Sequence, residues 1–181
     1  METLSSIAAT INSLEDPDRL LERILESAMQ AVDAERGFIL IVSPRGLPNL
    51  EVKGQRNLKD EELGELERIS RSAVTEVIRS GEPLLLYEAQ KDDRFGSTRS
   101  VVVERIQSIA CVPLTLKSKR IGAIYLDSIS QRSRFTRDSL PLLTAIANQS
   151  AVAIENARLY QSIRDENRQL RGEIQRMHGF Q

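Results

Sequence analysis

The chain has 181 residues, 40% hydrophobic and 28% charged, with 25 Lys and Arg against 26 Asp and Glu and a formal net charge of −1. That length suits one domain with helical extensions, and the balanced charge argues against direct contact with nucleic acid. No apolar run approaches membrane-spanning length and no basic-then-apolar leader opens the chain, so no membrane partner is expected and a cytoplasmic location is. A single cysteine, Cys111, excludes an internal disulfide, and the single histidine, His178, lies in the tail. Ser-His-Asp catalysis, Cys-His catalysis and Cys/His zinc sites are thereby left without their groups in the core.

Leu4, Ile7, Ile11 and Leu14 recur at helical spacing and predict a short first helix. Asp16-Pro17-Asp18 interrupts it, with Asp16 suited to cap and Pro17 to open the next helix. That helix, over 17–34, buries Leu21, Ile24, Leu25, Ala28 and Val32 against a sheet. GFILIV (37–42) is apolar on both faces and reads as a central buried strand. SPRGLPN (43–49) is dense turn chemistry, and 50–55 returns as the second arm of a hairpin. Residues 57–67 are rich in charge and are expected to be solvated. Ile69, Ala73, Val77 and Ile78 mark a helix that ends at Gly81, where glycine can take the left-handed conformation.

PLLLY (83–87) reads as a short strand, AQKDDRFGST (89–98) as a polar loop and 101–106 as a short helix. Residues 109–116 and 121–126 read as strands joined through Lys117-Ser118-Lys119-Arg120 by a tight hairpin. Thr136 is placed to cap the last helix, Asp138 to favour its dipole, and Pro141 falls early enough to be tolerated. Strands in hairpins with apolar residues on both faces imply an antiparallel sheet covered on two sides. The terminal helices would take one side, the central helix and the polar loop the other.

Several runs then fall into a familiar order. Ser80-Gly81-Glu82-Pro83-Leu84 is followed by Asp93-Arg94-Phe95, by Ile109-Ala110-Cys111-Val112-Pro113-Leu114 and by Ile121-Gly122-Ala123-Ile124-Tyr125-Leu126-Asp127. Phe135-Thr136-Arg137-Asp138 and Ala153-Ile154-Glu155-Asn156-Ala157-Arg158-Leu159-Tyr160 continue the series. In order and spacing the chain resembles the GAF domain family from Leu20 to Tyr160. The resemblance implies an α+β fold: a six-stranded antiparallel sheet with terminal helices on one face and a small-molecule pocket on the other. It also implies a regulatory input module that dimerises through its terminal helices. It does not give the ligand, because members bind cyclic nucleotides, haem, bilins, 2-oxoglutarate or iron, and many have no known ligand.

The ligand chemistries of that family can be tested against the residues. A bilin needs a thiol near a histidine, and Cys111 sits mid-strand in ACVPL without one. Iron or haem needs histidine or cysteine ligands with carboxylates; the core offers Cys111, Asp92-Asp93, Asp127 and Tyr125 but no histidine, so iron is not expected and Asp92-Asp93 reads as a loop turn. A methionine sulfoxide reductase needs a second, resolving thiol. The cyclic-nucleotide signature is incomplete, with Lys91 and Phe95 but neither the Asn nor the Asp-Glu pair. No metal and no cofactor is assigned, and no enzymatic activity is expected. The resemblance leaves a generic pocket for an unidentified small molecule. Phe95, Ser97, Ser100, Val101 and Glu104 from the loop and helix after residue 91 are its candidate lining, with Tyr87 at a strand end. From the sheet come two alternations, Phe38 with Leu40 and Tyr125 with Asp127.

In the last helix Leu142, Ile146, Gln149, Ala153, Asn156, Tyr160, Ile163, Asn167, Leu170, Ile174 and Met177 fall at alternating steps of four and three. A second set, Leu143, Ala147, Ser150, Ile154 and Ala157, lies beside them and stops near Tyr160. The helix therefore faces its own sheet up to Tyr160 and carries a coiled-coil seam beyond, with Asn156 and Asn167 favouring one register of a dimer. A homodimer interface through Ile7, Ile11, Leu142, Ile146, Ala153, Tyr160, Ile163, Asn167 and Leu170 is expected. The organisation read from the sequence is a dimerisation helix over 1–15, a sensor domain over 16–160 and a signalling linker over 161–181. Asn156 to Tyr160, with Glu166 to Arg171 and Met177 to Phe180, resembles the linker that joins such domains to the ATPase of sigma-54-dependent activators. That implies an output domain in cis, beyond the C-terminus. Alternatives are the sensor of a histidine kinase or cyclase, and a ligand-free dimerisation spacer.

Overall fold

The structure, a computed structural model, describes residues 16–93, 103, 105–130 and 135–179. The chain runs α1 (Pro17–Val32), β1 (Arg36–Val42), β2 (Leu50–Arg56), α2 (Leu63–Ser80), β3 (Leu84–Tyr87), a 3-10 turn (Ala89–Lys91), β4 (Ser108–Leu116), β5 (Lys119–Ser128) and α3 (Ser139–His178). The strands form one antiparallel sheet in the order β2-β1-β5-β4-β3. The described residues thus give five strands where six were expected. The expected first helix, with Ile7 and Ile11, lies outside the described residues.

Alternation along the strands feeds two cores. Ile39, Ile41, Val112, Leu114, Ile124 and Leu126 point to α1 and α3. Phe38, Leu40, Ile109, Cys111, Ala123 and Tyr125 point to α2. This is why β1 reads as apolar on both faces. α1 opens as its sequence dictates, with Asp16 accepting from the Asp18 N–H and proline in the first turn. It stops at Val32 because Asp33 turns left-handed, at φ 55°.

α2 begins at Leu63, inside the stretch expected to be solvated. Glu65, Glu67 and Arg68 take its outer side while Leu66, Ile69, Ala73 and Val77 form a buried stripe, so the charge density of the segment concealed a helical period. Its end is fixed by two residues from different elements. Gly81 takes φ 76°, and the Arg120 guanidinium donates to the Ile78 and Arg79 carbonyls, which the last turn leaves unpaired.

The expected hairpin between β4 and β5 is present but tighter than the four-residue connection read from the sequence: Lys117 and Ser118, at φ 46° and 69°, make a two-residue turn, and Lys119 and Arg120 already belong to β5. Pro113 stands in β4 beyond its pairing with β3, which begins with Leu84 opposite Cys111, so no β3 partner needs the missing N–H. α3 is a single helix of 40 residues, about 60 Å at 1.5 Å per residue. Thr136 does not cap it: Asp138 stands at the N-cap without a side-chain bond, and the Thr136 N–H donates to Ser139 Oγ. Pro141 lies in the first turn, where its absent donor costs nothing. Leu143, Ile146, Ala147, Ser150, Ala151, Ala153 and Ile154 are buried, and Ile154 is the last buried residue of α3. No helix among the described residues is long and apolar enough to cross a membrane.

Candidate functional site

The register of the sheet joins the two alternations left separate by the sequence. Phe38 lies opposite Tyr125, Arg36 opposite Asp127 and Leu40 opposite Ala123. All of them therefore share the face beneath α2. The Phe38 and Tyr125 rings stand 5.9 Å apart and tilted by 58°, a favourable aromatic arrangement. Phe38, Leu40 and Tyr125 are at most 1% exposed, packed with Leu66, Ile69, Ala73, Val74 and Val77. Burial of each side chain contributes on the order of 1.5–3 kcal/mol, so their surroundings are those of core residues.

At the end of this face sits a polar cluster. Arg36 Nε donates to Asp127 Oδ1 at 2.7 Å and its Nη2 to Oδ2 at 3.1 Å, while Nη1 reaches Glu62 Oε2 at 3.3 Å. The Tyr125 hydroxyl donates to Asp127 Oδ2 at 3.0 Å. Asp127 is fully buried and Arg36 is 5% exposed. Burial pushes the Asp127 carboxyl up, and the Arg36 guanidinium with the Tyr125 hydroxyl pulls against it. Burial also works to lower Arg36, but the Asp127 carboxylate prevails and holds it above its ordinary value. The cluster ties the start of β1, the end of β5 and the residue preceding α2 at one point. Beside it Glu35 Oε1 accepts from Ser128 Oγ and from the Ser130 N–H.

Arg36 and Glu62 were not singled out by sequence. The only signal for Arg36 is a charged residue directly flanking an all-apolar run, which does not reveal a partner 91 positions away, and Glu62 is one of several acids in the charged stretch 57–67. Asp127, expected as a pocket residue, has three of its acceptor sites taken by Arg36 and Tyr125. Tyr87 stands at the end of β3, 38% exposed. Phe95, Ser97, Ser100, Val101 and Glu104 lie outside the described residues. Val103 and Ile106 are buried and extend the core beneath α2.

Cys111 is fully buried on the same face, and burial, with Glu76 adding to it, pushes its thiol well above the ordinary range. Among the described residues no three His, Cys, Asp or Glu side chains gather as a metal site. An open groove follows the outer side of α2 past Pro48, Arg68 and Arg71. Arg71 is engaged there by Glu67 and the Leu50 carbonyl.

On α3 the structure revises the expected interface. Ile146 and Ala153 are 0% and 5% exposed in the core shared with α1 and β4, so they face their own domain rather than a partner. Leu142 is half-buried against the same core. Tyr160, Ile163, Asn167 and Leu170 are exposed, as are Ile174 and Met177. Val152 and Leu159, absent from the expected seam, are exposed apolar residues too, at 49% and 54%.

Comparison with known proteins matches this architecture. The family model for the GAF domain covers residues 16–154. The GAF domain of an Acinetobacter phosphoenolpyruvate-protein phosphotransferase superposes with a TM-score of 0.67 at 19% identity, covering 87% of this chain and 93% of that one. The corresponding domain from Coxiella burnetii gives 0.68 at 15% identity over 89% and 95%. A curated relative, hybrid signal transduction histidine kinase G of Dictyostelium discoideum, is 28% identical over 89 residues, 49% of this chain but only 3% of that protein's length. With the family model spanning most of its length and the sheet and helices in place, the chain belongs to the GAF domain family.

Proposed function

We propose that this chain is the small-molecule sensor of a bacterial signal-transduction protein, and that it works as a homodimer that passes ligand state through α3 to an output domain in cis. The observation that carries this reading is the continuity of α3. One helix packs Ile146, Ala147 and Ile154 against its own domain and then runs on from Glu155 to His178 with an exposed apolar stripe. That extension is about 36 Å at 1.5 Å per residue. A change at the sheet face beneath α2 reaches α3 through β4, which packs against both helices. The reading assigns no catalysis to the chain, since the Cys111 thiol is buried and held protonated. For the output, the tail resemblance favours a sigma-54 activator ATPase and the curated relative favours a histidine kinase.

The full burial of Phe38, Leu40 and Tyr125 supports a second reading, a dimerisation spacer whose pocket is filled by its own side chains. Native mass spectrometry of the purified chain, alone and with cyclic nucleotides or 2-oxoglutarate as probes, separates the two. Spin labels on the exposed Arg168 then read the distance between the two tails. The sensor reading expects a bound mass together with a changed distance. A bound mass with no change in distance defeats the relay, and no bound mass from cells or probes favours the spacer.

A further inference from the structure

We propose that the partner of α3 is a second copy of the chain lying parallel to it, and that their contact changes seam between Leu159 and Asn167 instead of following one unbroken heptad. This rests on the dimeric relay proposed above and specifies its interface. Asn156, Ile163, Leu170 and Met177 lie seven apart and form one exposed ridge. A second ridge must flank it, and two are available. One contains Val152, Leu159, Glu166 and Glu173; the other contains Ala153, Tyr160, Asn167 and Ile174.

In the first half of the helix the choice is made by the fold. Ala153, like Ile146 before it, is buried against its own domain, whereas Val152 and Leu159 are exposed. In the second half the choice is made by chemistry. Glu166 and Glu173 are charged, whereas Ile174 is apolar and Asn167 is the residue that selects register at a buried dimer position. The contact therefore runs Val152, Asn156, Leu159, Ile163, Asn167, Leu170, Ile174, Met177. Its steps are four, three, four, four, three, four, three. Two consecutive fours insert a stutter, which locally unwinds the left-handed supercoil. The helix pair leaves the domains nearly straight there, with Tyr160 outside the contact and the Arg164 guanidinium 6.0 Å from its ring centre.

The parallel direction follows from the register beyond the stutter. Asn167 and Ile174 occupy one core position, Leu170 and Met177 the other, with β-branched or Asn against unbranched-at-Cβ residues as in two-stranded parallel coils. Glu166 and Arg171 then flank the core five residues apart. In a parallel pair Glu166 of one protomer faces Arg171 of its partner, twice by symmetry. An antiparallel pair would lose this match and set Asn167 against apolar side chains.

Single cysteines in the full chain test the register by oxidation under native conditions, with buried Cys111 as an inert background. Only Cα atoms within about 7 Å can be bridged. Leu159→Cys, Asn167→Cys and Ile174→Cys are expected to cross-link several-fold faster than Tyr160→Cys, Glu166→Cys and Glu173→Cys. Fastest bridging at 160, 167 and 174, or at 159, 166 and 173, means an unbroken heptad and overturns the seam change. Light scattering separates the levels: a chain that is monomeric throughout overturns the dimeric relay itself. Glu166→Arg is expected to weaken the dimer and Arg171→Glu added to it to restore it. Weakening without restoration overturns the parallel pairing.

Discussion

Arg36 and Asp127 close on each other through two hydrogen bonds, 2.7 Å and 3.1 Å long, across the central β1–β5 pair of the sheet. Both are buried, so removing one leaves the other a charge without its partner. Asp127→Ala is expected to cost about 3–5 kcal/mol. Arg36→Met with Asp127→Leu replaces the pair by apolar groups and is expected to recover most of that loss. Tyr125→Phe removes one neutral donor and is expected to cost about 1 kcal/mol. Urea unfolding of the three variants beside the parent chain checks the order, and a double variant no better than Asp127→Ala would show that the pair itself stabilises the fold.

Alkaline pH exposes a different pair of buried groups. Burial raises the Cys111 thiol and, with the Asp127 carboxylate, raises the Tyr125 hydroxyl well above its ordinary value. In the unfolded chain these groups ionise near about pH 8.5 and about pH 10. A group whose folded pKa is raised contributes stability that is whole below its unfolded pKa and is lost as pH climbs above it. Stability is therefore expected to fall from about pH 8.5, by up to about 1.4 kcal/mol per pH unit for each group titrating. Cys111→Ala should remove the first part of the decline and Tyr125→Phe the part beyond about pH 10. Denaturation midpoints at intervals from pH 7 to pH 11 read both directly; a flat profile in the parent chain would contradict the assignment.

Gly81 and Arg120 form a third testable contact. A Cβ on Gly81 would collide with the Arg120 guanidinium, and φ 76° disfavours any side chain there. Gly81→Ala is expected to cost about 1–2 kcal/mol from the backbone alone, with the collision added. Arg120→Ala loses donors to two carbonyls at the end of α2, about 1 kcal/mol. The two changes should not add: with Arg120 truncated, Gly81→Ala keeps its backbone cost and loses the collision. A double-mutant cycle measures that coupling, and strict additivity would mean the guanidinium swings away freely.

What the sequence revealed, and what it hid, follows from the range of each interaction. β1, β3 and the Lys117-Ser118 hairpin are written in a few adjacent residues, and local chemistry places them. The Arg36–Asp127 pair depends on β1 meeting β5 in one register, and no local pattern carries that. The same pairing puts Phe38 and Tyr125 on one face, a relation that alternation within each strand leaves open. Ile146 and Ala153 misled for another reason. A helix that serves a core and a partner carries two overlapping stripes, with spacings of 3.6 and 3.5 residues. Over a few turns the stripes share members, and only burial assigns Ala153 to the core and Val152 to the surface. In α2, Glu65, Glu67 and Arg68 hid a helical start because their charge is conspicuous and the single buried Leu66 between them is not.

The end of burial on α3 gives the last prediction. Among the described residues Ile154 is the last buried residue of α3 and Ala157 the last that packs on the core, and none from Ile163 onward packs against the domain. Deleting residues 163–181 should therefore change the unfolding free energy of the domain by no more than about 0.5 kcal/mol, measured at concentrations low enough to keep both chains monomeric. The tail would still be felt at high concentration, where association through its exposed Ile163, Leu170 and Ile174 raises the melting temperature by mass action. A melting temperature that rises with concentration in the full chain but not in the shortened one is the expected result. A shortened chain that is several kcal/mol less stable even when dilute would mean that the tail belongs to the domain, and the division of α3 near Tyr160 would have to be given up.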